Sequence, residues 1–152
     1  MIRSEGRALV SVVIPAYNHE KYIRQALDSV LMQKTDFDFE ILIGEDDSKD
    51  RTREICKEYA QKYTRKIRLF LNDRANVIYL NGKPTGRWNT INLFNHARGE
   101  FIARCEGDDF WTGERKLQKQ IEFLEKNPDF AICFHEVKWL KNGKFIKEPN
   151  LP

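Results

Sequence analysis

The chain has 152 residues, of which 41% are hydrophobic and 32% charged, and its formal net charge is only +3. This length allows one substantial core but not two ordinary domains joined by a linker. No apolar run approaches the roughly 20 residues of a membrane span, and charged residues interrupt the N-terminal stretch where a signal peptide would be apolar. The mixed charge also lacks the basic field that nucleic-acid binders use. We therefore expect a soluble globular domain without a nucleic-acid partner.

The three cysteines, Cys56, Cys105 and Cys133, are odd in number, far apart and set in apolar patterns. This arrangement favours reduced core thiols over disulfides or a zinc site. The sequence therefore fits a cytoplasmic protein or one at the cytoplasmic face of the inner membrane. It leaves association of the full-length protein with the membrane surface open.

The first part of the chain alternates apolar runs with helical patterns. Residues 9–14 (LVSVVI) predict a strand buried on both faces. Apolar residues at helical spacing over 19–32 predict a helix, with Asn18 as its N-cap. A second buried strand is predicted over 39–44, and residues 55–63 carry the apolar positions of a second helix.

The same alternation continues along the chain. Residues 67–71 (IRLFL) predict a third strand, and 72–86 predict a long loop of the kind that is often functional or mobile. A shorter helix is expected over 87–97, ended by Gly99. The fourth strand is predicted over 101–105 (FIARC).

The last part of the chain predicts one more helix and a hairpin. Thr112 is placed to cap that helix, and Pro128 to stop it. Residues 130–134 predict a fifth strand, and Asn142-Gly143 a hairpin turn. Strands that alternate with helices predict an α/β fold with a mainly parallel, Rossmann-like sheet and helices on both faces.

Three of the predicted strands run directly into polar turns. Strand one is followed by residues 15–18 (PAYN), strand two by 45–48 (EDDS) and strand four by 106–109 (EGDD). Ligands of parallel sheets bind outside the carboxyl ends of the strands, where the winding direction switches. The three turns therefore share one crevice if strand one lies between the other two.

The acidic turn after strand four indicates a metal site. Glu106 and Asp108 end a buried strand, where neither has a packing role, and Gly107 between them permits a sharp bend. Carboxylates that repel one another are most simply compensated by a divalent cation, and oxygen ligands select Mg²⁺ or Mn²⁺. A site with few protein ligands leaves positions for phosphate oxygens, so we expect a phosphate ester as substrate, with the metal as Lewis acid.

The other two turns suit a heterocyclic base. Asp46 can accept a hydrogen bond from a base N–H, Tyr17 can stack through its ring, and the backbone around Pro15 can complete the base pocket. Tyr17 suits a packing role equally well, and capping is the simpler interpretation of the remaining polar residues of the second turn. The histidines form no ligand spacing, so structural or solvent-facing roles are expected for His19, His96 and His135.

The sequence lacks the motifs that are typical of three other classes of nucleotide- or phosphate-binding protein. A magnesium-dependent phosphoacceptor domain would carry its acids after strand one, where this chain has Pro15 and Tyr17. A dehydrogenase would show G-x-G-x-x-G after the same strand, and a nucleotidyltransferase a Gly-rich phosphate loop there.

Residues 10–33, 40–52 and 99–129 together resemble the family-2 glycosyltransferases of the GT-A fold, over nearly the whole chain. The resemblance implies a three-layer sandwich and transfer of a sugar from a nucleotide diphosphate donor to an acceptor hydroxyl. It implies inversion at the anomeric carbon, a saccharide or lipid-linked acceptor, and a role in polysaccharide or glycan synthesis.

The family motifs transfer to particular positions of this chain. Pro15, Ala16 and Tyr17 stand where the family holds the nucleoside, and Asp46 stands on the acid that contacts the base. The resemblance thus assigns these four residues to the nucleotide-sugar site.

The turn from Glu106 through Gly107 to Asp108 matches the family's Asp-x-Asp motif. The match implies that Asp108 is the principal metal ligand and that Glu106 lies near the ribose or the metal. Glu106 and Glu45 stand where aspartate is commoner, and Asp47 replaces a frequent glycine.

Family members usually continue into an acceptor-binding region that carries the general base. We therefore expect residues 1–152 to be a single GT-A domain that is truncated before that region, with the base beyond Pro152. Trp88 and Asn89 stand where the family often has Arg-Asn, so no donor contact is assigned there. The alternative is a donor-binding module without complete catalytic machinery.

Overall fold

A computed structural model describes residues 8–141 and 143–146 of the chain. The chain divides after Gln118 into two compact units. The elements of the first unit are β1 (Val10–Ala16), α1 (Ile23–Leu31), β2 (Phe39–Glu45), α2 (Thr52–Lys62), β3 (Ile67–Leu71), β4 (Ile78–Leu80), β5 (Lys83–Thr85), α3 (Arg87–His96) and β6 (Phe101–Arg104). Helix α4 (Lys116–Lys126) leads from the first unit into the second. Within the described ranges, no helix has the length and apolar character to cross a membrane.

The first unit is built on a four-stranded parallel sheet with the order β3-β2-β1-β6. The chain advances from β1 to β3 in one direction and then returns to the other side of β1. Because parallel crossovers are right-handed, this reversal puts α1 and α2 on one face of the sheet and α3 on the other. The predicted α/β fold with a parallel central sheet is confirmed.

The centre of the sheet is apolar on both faces because helices cover both. All seven residues of β1 are buried, as expected for a strand of β-branched residues in a parallel sheet. Val13, Leu42 and Leu93 are fully buried and form one cluster beneath α3. Two of the free thiols also lie in the core, since Cys56 and Cys105 are buried. Both are free thiols in the core, as predicted, and burial raises the pKa of each to about 12.

Helix α3 approaches β2 closely at one glycine. Asn89 is buried, and its Nδ2 donates to the Gly44 carbonyl oxygen at 2.7 Å. Its Oδ1 accepts from Nδ2 of Asn72 at 2.9 Å. A Cβ on Gly44 would lie only 1.9 Å from that Oδ1. Asn89 therefore fixes α3 on the sheet, which gives this residue a structural role.

Several predicted boundaries differ from the structure. Strand β1 continues through Pro15 and Ala16, whose carbonyls still have partners. Asn18 is not the N-cap of α1, because the helix begins at Ile23 and the Asn18 Oδ1 accepts from the Lys49 N–H at 2.8 Å instead. The predicted 72–86 loop contains the hairpin formed by β4 and β5.

Two further predictions at the end of the chain also need correction. Helix α4 begins at Lys116, four residues after Thr112, so Thr112 is too far away to cap it. Residues 130–134 form no strand, although their composition suits one. No strand in the described chain pairs with them, and an apolar run without a hydrogen-bonded neighbour does not make a sheet.

The second unit contains the end of α4 and a small antiparallel hairpin. Strands β7 (Trp139–Lys141) and β8 (Lys144–Ile146) pair around Gly143, which has a φ of 73°. The predicted hairpin is confirmed, although Asn142 of its turn lies outside the described residues. The third cysteine, Cys133, is half-buried and free.

The Gly44 contact yields a stability prediction. We expect Gly44→Ala to lower the free energy of unfolding by about 3 kcal/mol, because the added methyl group collides with Asn89 and displaces α3. Gly86→Ala is the matched control, since nothing lies within 4 Å of a Cβ at that position, and it should change stability by less than about 0.5 kcal/mol. Urea unfolding of both variants would measure the difference. Equal stabilities would show that α3 does not pack against Gly44 as described.

Candidate functional site

The end of β1 holds the two acidic turns in place through its backbone. The Ala16 carbonyl oxygen accepts from the Asp46 N–H at 3.0 Å, and the Pro15 carbonyl oxygen accepts from the Gly107 N–H at 3.1 Å. Since β1 lies between β2 and β6, the three predicted turns meet at one edge of the sheet. We call this the site edge: residues 15–18, 45–48 and 106–109.

The turn after β2 is organised by a fully buried carboxylate. Glu45 Oε1 accepts from the Ser48 N–H at 2.7 Å, and Oε2 pairs with the Arg53 guanidinium. Arg53 also donates to the Asn72 carbonyl oxygen at 2.8 Å, which ties the turn to the end of β3. Asp47 has a φ of 60°, a conformation that favours glycine but that aspartate tolerates better than most residues. The longer side chain at Glu45 therefore builds the turn rather than distorting it.

Asp46 points into a small polar cluster at the site edge. The residue is 3% exposed, and its Oδ2 accepts from the Arg74 guanidinium at 3.0 Å. The same guanidinium lies over the Tyr17 ring, 4.1 Å from its centroid. Asp46 Oδ1 is buried and, among the described residues, has no hydrogen-bond partner. An unpaired buried acceptor is costly, so this oxygen is suited to receive a donor from a ligand.

The electrostatic environment of Asp46 is unfavourable to its charge. Burial raises the pKa of this carboxyl above its ordinary value, and the guanidinium of Arg74 acts against that shift. The neighbouring carboxylates of Glu45 and Asp47 raise the pKa further. Asp46 is therefore an acceptor that the fold holds at a cost in stability.

Glu106 and Asp108 of the turn after β6 have different partners. Glu106 pairs with the Arg104 guanidinium. Burial raises the pKa of Glu106, and the charge of Arg104 opposes the rise. The Asp108 side chain is 53% exposed, and its one recorded ion contact in the described chain is His19, with Nε2 3.8 Å from Oδ2. Among the described residues, Glu106 therefore has an arginine partner and Asp108 has none.

Gly107 lies in the predicted tight turn, in which the Asp109 N–H donates to the Glu106 carbonyl oxygen at 3.1 Å. Its φ is outside the left-handed region, unlike that of Gly82, so a close approach and not the φ of the turn accounts for the glycine. A Cβ at Gly107 would lie 2.6 Å from His19 Nδ1 and 3.1 Å from the Pro15 carbonyl oxygen. The turn can pack on the end of β1 only because this side chain is absent.

A cleft of about 360 Å³ opens at the site edge beside Pro15 and Glu106. The remaining lining comes from Arg104 and the start of α3: Gly86, Arg87, Thr90 and Ile91. Two guanidinium groups and one carboxylate thus face a space of the size that small ligands occupy.

The donor set of the turn suits a hard divalent cation with an open coordination shell. In the part of the chain that the structure describes, no three His, Cys, Asp or Glu side chains are grouped so as to hold a metal ion. Asp108 and Glu106 supply carboxylate oxygens, which Mg²⁺ and Mn²⁺ prefer. Mg²⁺ commonly keeps several positions for water and phosphate oxygens, so two protein ligands fit such an ion.

Sequence reasoning missed two site residues. Arg74 follows the end of β3 by three positions and so belongs to the same sheet edge as the acidic turns. Arg74 lies in the predicted 72–86 loop, and long loops of this kind are often functional or mobile, so its position could have indicated a role in the site. His19 lies beside Asp108 through tertiary packing alone, and no pattern along the chain indicates this.

The shifted pKa of Asp46 predicts a pH dependence. The folded-state pKa lies above the unfolded value, so the charge destabilises the fold at neutral pH and the penalty disappears as the pH falls through the folded pKa. Asp46→Asn removes the charge and keeps an oxygen for Arg74. We expect the free energy of unfolding of the variant to be at least that of the wild type at pH 7. As the pH falls towards 4, the wild type should become more stable relative to the variant. Urea unfolding across this range measures both free energies, and an advantage of the variant that grows on acidification would contradict the prediction.

Comparison with known proteins gives the family of the chain. The model of glycosyl transferase family 2 matches residues 11–149. An uncharacterized protein of Mycobacterium tuberculosis is 40% identical over 85% of this chain and 35% of its own length. The UDP-Glc:alpha-D-GlcNAc-diphosphoundecaprenol beta-1,3-glucosyltransferase WfgD of Escherichia coli is 37% identical over 91% of this chain and 51% of its own length.

The fold has a counterpart among solved structures. TarS of S. aureus, residues 1–349, in complex with UDP-GlcNAc superposes with a TM-score of 0.58 at 29% identity. The match covers 78% of this chain and 32% of that one. The chain spans about a third to a half of the length of the curated relatives it matches. The sheet and its helices are the GT-A fold, and the chain belongs to the family-2 glycosyltransferases.

Proposed function

We propose that this chain is the donor-binding part of an enzyme that transfers a sugar from a nucleotide diphosphate to an acceptor hydroxyl. The observation that carries the proposal is the site edge itself. Two consecutive carbonyls of β1 hold the Asp46 and Asp108 turns side by side, one with an unpaired buried acceptor and the other with an exposed carboxylate. The TarS structure with UDP-GlcNAc supports a donor of this class.

The nucleoside occupies the Asp46 side of the site edge. Asp46 Oδ1 accepts a hydrogen bond from a ring N–H of the base, which removes the cost of the unpaired buried oxygen. Arg74 holds the other carboxylate oxygen. The Tyr17 ring, 37% exposed, offers a surface on which the base stacks. The backbone at Pro15 and Ala16 forms the floor.

The diphosphate occupies the Asp108 side. Asp108 and Glu106 hold a Mg²⁺ or Mn²⁺ ion, with Asp108 as the principal ligand because Arg104 already pairs with Glu106. When bound, the cation acts as a Lewis acid that offsets charge on the leaving diphosphate. Gly107 keeps the turn against β1, so the two carboxylates stay at the site edge.

The transfer step completes the proposal. The acceptor hydroxyl gives its proton to a general base and attacks the anomeric carbon from the side opposite the diphosphate. The bond from that carbon to the diphosphate oxygen breaks, the nucleoside diphosphate leaves, and the new bond has inverted configuration. The acceptor is a saccharide or a lipid-linked sugar, a class that the printed name of the Escherichia coli relative supports. A role in polysaccharide synthesis and a place at the cytoplasmic face of a membrane stay predictions. Incubation with nucleotide sugars and mixed acceptors, followed by mass spectrometry of the products, tests transfer directly.

Nucleotide binding should depend on metal through Asp108. We expect one nucleoside diphosphate to raise the melting temperature more with Mn²⁺ than without it, because a ligand that binds only the folded state stabilises it. Asp108→Asn should remove the metal-dependent part of the rise and keep the metal-independent part. Glu100→Gln is the control, since Glu100 is exposed at the other end of β6. A thermal-shift panel of nucleoside diphosphates measures all three proteins, and a rise that is equal with and without metal would refute the metal site.

Stacking on Tyr17 gives a second test at the nucleoside side. Tyr17→Ala should weaken binding of the nucleoside diphosphate about tenfold, because stacking of a base on an aromatic ring contributes roughly 1–3 kcal/mol. Tyr17→Phe keeps the ring and should bind within about twofold of the wild type. Titration calorimetry measures both. If the two variants bind equally well, the base does not stack on this ring.

A further inference from the structure

His19 is held firmly at the site edge by its backbone. Its N–H donates to Thr52 Oγ1 at 2.7 Å, and its carbonyl oxygen accepts from the N–H groups of Tyr22 and Ile23 at 2.9 and 2.8 Å. These bonds connect the end of the first turn to the starts of α1 and α2. The position of the His19 Cα is therefore set by two helices.

The imidazole ring fills the space that Gly107 leaves. Nδ1 is buried and, among the described residues, has no hydrogen-bond partner. It lies 2.6 Å from where a Cβ on Gly107 would stand. The other nitrogen, Nε2, lies 3.8 Å from Asp108 Oδ2, which is too long for a hydrogen bond. A movement of about 1 Å by the exposed Asp108 carboxylate closes this gap to hydrogen-bond length.

We infer that His19 is a positioning residue, which orients the Asp108 carboxylate for the metal of the donor site. This inference rests on the proposed function. Among the described residues no arginine pairs with Asp108, and its side chain is half exposed, whereas the His19 side chain is only 22% exposed and its backbone is anchored. Once the gap between Nε2 and Oδ2 closes to hydrogen-bond length, Oδ2 is held and Oδ1 is left for the cation. Groups that orient a metal-binding carboxylate typically change metal affinity 10–100-fold when they are removed.

His19 acts through Asp108 and not as a ligand of its own. The described residues hold no group of three metal-binding side chains, so His19, Asp108 and Glu106 do not form a ready-made three-ligand site. A ring that served only to fill space beside Gly107 would be replaceable by an apolar side chain of similar size. These two alternatives give different results in one set of variants.

The test measures Mn²⁺ affinity of the protein by titration calorimetry and by the electron paramagnetic resonance signal of free Mn²⁺, with saturating nucleoside diphosphate. Gln at position 19 places an amide near the position of Nε2, whereas Asn reaches only the position of Nδ1 and Leu fills volume without a polar tip. We expect His19→Gln to bind Mn²⁺ within about threefold of the wild type, and His19→Asn and His19→Leu to bind 10–100-fold more weakly. Nucleotide affinity without metal should be unchanged in all three.

If His19→Asn does not fold, His19→Leu against His19→Gln makes the same comparison. Wild-type Mn²⁺ affinity in His19→Leu would overturn the inference and leave the proposed function standing. Failure of the wild type itself to bind Mn²⁺ with any nucleotide would instead refute the proposed function.

Discussion

Two backbone hydrogen bonds at the end of β1 determine where the functional groups of this protein lie. The carbonyl oxygens of Pro15 and Ala16 bind the amides of Gly107 and Asp46. Buried backbone groups must be paired, and neither bond involves the carboxylate of Asp46 or Asp108. The acids are thus placed by the sheet and not by one another. Substitution of Asp46 or Asp108 should alter binding without moving the turns, which makes their ligand contacts separable from the fold.

Three carboxylates of the site edge are each paired with an arginine side chain. Glu45 pairs with Arg53, Asp46 with Arg74 and Glu106 with Arg104, as the recorded ion pairs show. Each ion pair lowers the electrostatic free energy of carboxylates that are partly buried and close together. Asp108 has no arginine partner among the described residues. Its side chain is half exposed, so solvent screens its charge. Of the two carboxylates proposed to hold the metal, Asp108 is therefore the one that is free of an arginine and on which a cation gains more.

Much of this site was predictable because it depends on local pattern and on topology rules. Apolar runs identified the strands β1 and β6, although only β1 is buried along its length. The reversal of winding around β1 placed their polar turns together. Arg74 and His19 were not assigned because their roles depend on contacts that form only in the folded chain. The strand expected at 130–134 failed for the same reason, since composition alone does not supply a neighbouring strand.

The departures from the common family residues have local physical causes that keep the site geometry intact. Glu45, longer than aspartate, reaches both the Ser48 amide and Arg53. Asp47 accepts the φ of 60° that glycine would adopt freely, and it gains an ion pair with Lys49. Between these two residues, the Asp46 N–H donates to the Ala16 carbonyl oxygen, so the turn is held to β1 with both side chains in place. The turns therefore tolerate changes in residue type at positions whose backbone is fixed, but not at Gly107, where the space beside His19 admits no side chain.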